Sequence, residues 1–155
     1  MNVGFTGTRK GMTDEQKVAL SQELRLYEGS WEFHHGDCIG ADAEAHDIVW
    51  DQMHDLGRYL TICVHPPEDN KLRAFKSVDG GLDVRTFNPK PYILRNHDIV
   101  DMTDVLIAAP ASQERSSTRT GTWATVRYAR KQGKEVLIIW PDGTRWGGFE
   151  HLPTE

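Results

Sequence analysis

Residues 2–16 read NVGFTGTRKGMTDEQ, and their order decides the fold. A short apolar run, NVGFT, ends in Gly7 and passes through the polar loop Thr8-Arg9-Lys10-Gly11 to Thr13. Thr13 can cap a helix, and Gln16, three residues later, can close a capping box. Leu20, Leu24 and Tyr27 then follow at helical spacing, and Gly29 ends the run. Strand, glycine turn and capped helix in this order open an α/β arrangement.

The same alternation continues outward. WEFHH (31–35) reads as a second strand ending at Gly36. A helix follows from about Ala41 to Leu56, with Ala41, Ala45, Ile48, Val49 and Met53 on one face. YLTICV (59–64) is a continuous β-rich run, as a buried parallel strand requires. Residues 65–91 read as an irregular insertion, with a short helix around Lys71–Phe75 as the one regular feature. Pro91 suits the first turn of a third helix carrying Ile93, Leu94, Ile99 and Val100. DVLIAA (104–109) is a fourth strand, Thr122 to Gln132 a fourth helix, and EVLIIW (135–140) a fifth strand before a turn-rich tail. These elements predict a single domain over 1–155, a Rossmann-like doubly wound α/β fold. Its mainly parallel five-stranded sheet is expected in the order 3-2-1-4-5.

Composition narrows the function classes. The 155 residues include 18 Lys+Arg and 23 Asp+Glu, a net charge of −5. That balance disfavours a nucleic-acid binder, single-stranded binding being retained only as an alternative. No stretch approaches the roughly 18–20 apolar residues of a membrane span. The N-terminus lacks a signal-peptide core, so a cytoplasmic location is expected. Two cysteines cannot form a disulfide framework. The run His34, His35, Asp37, Cys38 invites a metal reading, but adjacent strand residues face opposite sides of a sheet, so no metal site is read. No cofactor is called.

In doubly wound sheets ligands lie beyond the carboxyl ends of the strands. That rule selects three loops. After the first strand stand Gly7, Thr8 and Arg9; after the second, Gly36, Asp37, Gly40, Ala41 and Asp42; after the fourth, Pro110 and Thr120, Gly121 and Thr122. Glycines at helix N-termini let backbone N–H groups approach an anion, and Thr and Arg add donors. The first loop is neither a GxxxxGK[ST] nor a GxGxxG sequence, so ATP hydrolysis and standard dinucleotide binding lose support. Arg73, Arg115 and Arg119 lie in loops that can reach the same edge. Trp123, directly after the third loop, is placed either to stack on a base or to pack its helix.

GFTGTR, GDCIGADAEAH (36–46), Arg95-Asn96 followed by DMTDVLIAAP, and TGTWATVRYA (120–129) together resemble the SLOG superfamily, which includes the DNA-processing protein A core and the Lonely Guy phosphoribohydrolases. The likeness runs over about residues 2–140 and is nearest to the small stand-alone members. It implies a nucleotide or nucleotide-derived phosphate ligand, with Arg95 and Asn96 closing one side, and a homodimer or larger homo-oligomer. The position of the Lonely Guy glutamate reads Thr125 here. A nucleotide N-glycosidase releasing a base is therefore the alternative, with Asp42 and Arg95 as candidate catalytic residues and helix capping the other reading of Asp42.

Overall fold

Side chains alternate along the central strands, and each set meets a different pair of helices. The computed structural model describes residues 1–76, 83–112 and 120–147. Arg115, Arg119 and the Asp79-Gly80-Gly81 stretch of the 65–91 insertion lie outside them. The strands are β1 (Val3–Gly7), β2 (Glu32–His35), β3 (Thr61–Val64), β4 (Val84–Thr86), β5 (Val105–Ala109), β6 (Glu135–Ile139) and β7 (Arg145–Gly147). The helices are α1 (Asp14–Arg25), α2 (Ala41–Asp55), α3 (Tyr92–Asp101) and α4 (Gly121–Lys131). Val3, Phe5, Phe33, Ile107 and Leu137 pack with Leu20 and Leu24 of α1 and Ala45 and Val49 of α2. Leu106, Ala108 and Ile138 point the other way, onto Ile99 and Val100 of α3 and Val126 and Ala129 of α4.

The sheet corrects the expectation of five strands. It has seven, in the order β4-β3-β2-β1-β5-β6-β7. A strand is added at each edge of the expected order, β4 parallel to β3 and β7 antiparallel to β6. Both added strands are three residues long, too short to show a period. The turn before β7 does carry a sequence signal, Asp142-Gly143. Gly143 has φ +85°, and Asp142 Oδ1 accepts from Thr144 N at 2.9 Å.

The described residues of 65–91 carry more regular structure than expected. Asn70–Leu72 form a 3₁₀ turn capped by Asp69, in place of the short helix read at Lys71–Phe75. Ile39 N donates to Leu72 O at 3.0 Å and Ala74 N to Asp37 O at 2.7 Å, so this segment is pinned to the loop after β2. The capping box at Thr13 and Gln16 is present. Gln16 also donates from Nε2 to Pro110 O (2.9 Å) and Ile139 O (3.0 Å), tying the start of α1 to the ends of β5 and β6. No helix among the described residues is long and apolar enough to cross a membrane.

Four buried histidines give the fold an acid limit. Burial lowers the pKa of His34, His35, His46 and His65, the last to about 3. The unfolded chain then binds more protons than the native one below the ordinary value of about 6.5. Their contribution is complete above that value and is lost as pH falls through it. The urea midpoint is expected to drop between pH 7.5 and pH 5; a midpoint that holds or rises would contradict this.

Candidate functional site

The strand order reverses at β1 and β5, and a cavity of about 320 Å³ opens at their carboxyl ends. Of the residues singled out from sequence, Gly7, Thr8, Arg9, Gly36, Asp42, Arg95, Asn96, Thr120, Gly121 and Thr122 line it. Asp37, Gly40, Ala41 and Pro110 do not, and each has another task.

Ala41 N donates to Thr8 O at 2.9 Å, which docks the loop after β1 onto the start of α2. Gly40 has φ +92°, and a Cβ there would run into the backbone of Arg9. Gly40 and Ala41 thus shape the loop. Glu44 fixes its far end, accepting from Met12 N at 2.6 Å and pairing with Lys17 at 3.0 Å. Pro110 O is taken by Gln16. Asp37 is fully buried with φ +54°, and binds Arg73 Nε (2.9 Å) and Lys76 N (2.9 Å). Arg73 is therefore held by Asp37, with its guanidinium 4.5 Å from the Phe75 ring centre, and does not line the cavity.

Arg95 is 4% exposed. Its Nη1 donates to Gly36 O and, at 3.2 Å, to His65 O; its Nε donates to Asn96 Oδ1 at 2.7 Å. A Cβ on Gly36 would meet the guanidinium, so the glycine makes room for the arginine. Nη2 has only the Cys38 sulfur, at 3.8 Å, among the described residues. A planar cation held by backbone carbonyls, with one nitrogen short of an oxygen acceptor, suits an anionic or carbonyl-bearing ligand.

Asp42, in the first turn of α2, accepts from Cys38 N at 3.2 Å. Burial pushes its pKa up to about 6, against the opposing pull of Arg95. Raised above the unfolded value, it favours folding fully only below about 4, and that contribution is lost as pH rises through about 6. Asp42→Asn is therefore expected to raise stability at pH 8 by about 1–2 kcal/mol and to change it little at pH 4.5. Urea midpoints of both proteins at both pH values check this, and a loss of stability at pH 8 would contradict it. Burial likewise raises the Cys38 thiol, contrary to what a nucleophile needs.

At the opposite wall Thr120 caps α4, its Oγ1 accepting from Trp123 N at 3.3 Å. The N–H groups of Gly121 and Thr122 have no acceptor among the described residues, and the helix dipole adds positive potential there. Trp123 is 2% exposed and donates to Ser112 O at 3.1 Å, so most of its ring is committed to packing. Thr125 is buried, donates to Gly121 O at 2.7 Å within its own helix, and does not line the cavity.

The residue the sequence did not disclose is Tyr92. It opens α3, and its ring centre lies 4.9 Å from the Arg9 guanidinium and 5.0 Å from that of Arg95. Its Oη is buried and has no hydrogen-bond partner in good geometry among the described residues. Burial, then the neighbouring Cys38 thiol, raises its pKa. Phe5 and Ile99 add apolar wall. Only the position of Tyr92 after Pro91, in the first turn of a helix that begins at the carboxyl edge of the sheet, pointed to it.

No protein-family model and no curated protein matches the chain. Among solved structures, it is similar to the X-ray structure of TM1055, a structural-genomics target. The TM-score is 0.54 at 15% identity, over 87% of this chain and 71% of that one. The likeness is one of fold, Rossmann-like α/β.

Proposed function

We propose that the cavity binds a nucleotide or a nucleotide-derived phosphate ligand. The observation that carries this is the pairing of two chemistries in one cavity: N–H groups at Gly121 and Thr122 with no acceptor among the described residues, and the Tyr92 ring close to the guanidiniums of Arg9 and Arg95. A phosphate fits the first, through helix N–H groups and the Thr8 and Thr122 hydroxyls. A planar, partly polar group fits the second, stacking on aromatic or guanidinium faces and giving Tyr92 Oη a partner. Asp42 can accept from a sugar hydroxyl.

Turnover is a second reading, favoured by Asp42 itself. A buried carboxylate with a pKa near 6 is poised for proton transfer at neutral pH. In N-glycosidic cleavage it would steady positive charge on the ribose or take a proton from water, while Arg95 holds the ligand.

One incubation series separates the readings. The protein is heated with nucleoside mono- and diphosphates, cyclic nucleotides and ADP-ribose-type compounds, and released base is followed by chromatography. A thermal shift without release supports binding alone. Release lost in Asp42→Asn makes the protein a hydrolase. No shift with any of them contradicts both.

A further inference from the structure

The geometry points to a second site, for a divalent zinc-like cation, between β2 and β3 on the sheet face that carries α3. The histidine run of β2 splits across the sheet: His35 bonds His46 at 2.9 Å on one side, and His34 lies on the other. There His34 stands opposite Cys63 in the β2–β3 register, with Glu32 two residues before it on the same face. One ligand atom from each of Glu32, His34 and Cys63 lies within 4.8 Å of the other two. Carboxylate, imidazole and thiolate are the donors zinc takes, and three protein ligands leave a fourth position for water or substrate.

The surroundings orient this set. His34 Nε2 faces Glu32 Oε1 at 2.9 Å, and its other nitrogen meets His65 Nε2 at 2.8 Å. His65 is fixed in turn by stacking on Phe87, with ring centres 4.4 Å apart. A histidine whose far nitrogen is bound by a positioned partner is the usual support of a metal-ligating imidazole. In the absence of a cation the Nε2 proton bridges to Glu32. With a cation there, the His34 proton sits on Nδ1 and is donated to His65 Nε2, whose own proton moves to His65 Nδ1 by exchange with water, and Cys63 gives up its thiol proton to water.

Bonds of about 2.0–2.3 Å at a tetrahedral angle need ligand atoms roughly 3.3–3.8 Å apart. The His34–Glu32 pair, at 2.9 Å, must therefore open slightly, and the longer separations, up to 4.8 Å, must close. His34 and Cys63 are buried, 1% and 0% exposed, but Glu32 is only half-buried and can make that movement. Arg85 pairs with Glu32 at 3.8 Å, and its side chain is 62% exposed, so it yields the carboxylate at little cost.

The test is uptake of zinc and of cobalt(II) by the full chain after chelator treatment, measured as bound metal and as the near-ultraviolet thiolate-to-cobalt band. About one equivalent is expected, with the band present. Cys63→Ser should remove the band and Glu32→Gln should weaken uptake. His65→Gln should weaken it about tenfold, and Cys38→Ser should leave it unchanged. Glu32→Gln changes a half-buried residue, so its near-ultraviolet circular dichroism checks that the fold is kept. Uptake well below one equivalent, a band that survives in Cys63→Ser, or a band lost in Cys38→Ser would overturn the assignment. Bound metal and the thiolate band report on the β2–β3 face and need no nucleotide, so their result is independent of the nucleotide reading.

Discussion

Arg95→Ala is expected to weaken binding of the cavity's ligand by about 100-fold and to lower stability by about 3 kcal/mol. Both effects follow from one guanidinium. On its protein side it holds Gly36 O and His65 O and is itself held by Asn96, so truncation leaves two buried carbonyls without a donor. On its cavity side the loss takes away a fixed positive charge beside Tyr92. Arg95→Lys separates the two. An ammonium keeps the charge but cannot reach both carbonyls and Asn96 in one plane. It should recover part of the affinity, about tenfold below wild type, while remaining clearly less stable. Titration calorimetry and urea unfolding of both variants check this. Unchanged affinity in Arg95→Ala at full folding would remove Arg95 from the site.

Asp37→Ala is expected to be the most destabilising single change in the loop after β2, by roughly 3–5 kcal/mol. Asp37 is fully buried, and removing it strands Arg73 and leaves Lys76 N without its acceptor. It also puts alanine at φ +54°, a conformation that asparagine tolerates and alanine does not. Asp37→Asn should therefore be much milder, at about 1–2 kcal/mol, because it keeps the shape and one acceptor while losing the ion pair. Denaturant midpoints order the two. Equal losses would mean the charge, and not the backbone, dominates; a loss below about 1 kcal/mol in Asp37→Ala would contradict the structural role. Because Asp37 does not line the cavity, folded Asp37→Asn should bind ligand normally.

These two residues show how far sequence carries. Long runs with a clear period, such as 14–25 and 105–109, were legible because burial on one face or two dictates the pattern. The edge strands β4 and β7 were not, since three residues cannot display alternation and only their neighbours define them. The edge at which the cavity opens was legible from the doubly wound order and from glycines before helices. Which loop residues face the cavity was not. Gly40 and Asp37 are required by backbone geometry, and a required backbone looks the same in sequence as a ligand contact. Tyr92 escaped for the opposite reason, since a tyrosine after a proline carries no mark of the arginines that flank it from residues 9 and 95. Cys63 lies 29 positions beyond His34, and only the strand register brings them side by side.

The most direct test of the central claim is residue-resolved NMR of the ¹⁵N-labelled protein titrated with nucleoside monophosphates and, in parallel, with the matching nucleosides. The monophosphate should shift the amides of Gly121, Thr122 and Thr8, and both compounds should perturb Tyr92. The nucleoside should leave Gly121 and Thr122 nearly still. Saturating shifts confined to other surfaces, or identical Gly121 and Thr122 responses to both compounds, would contradict a phosphate at the start of α4.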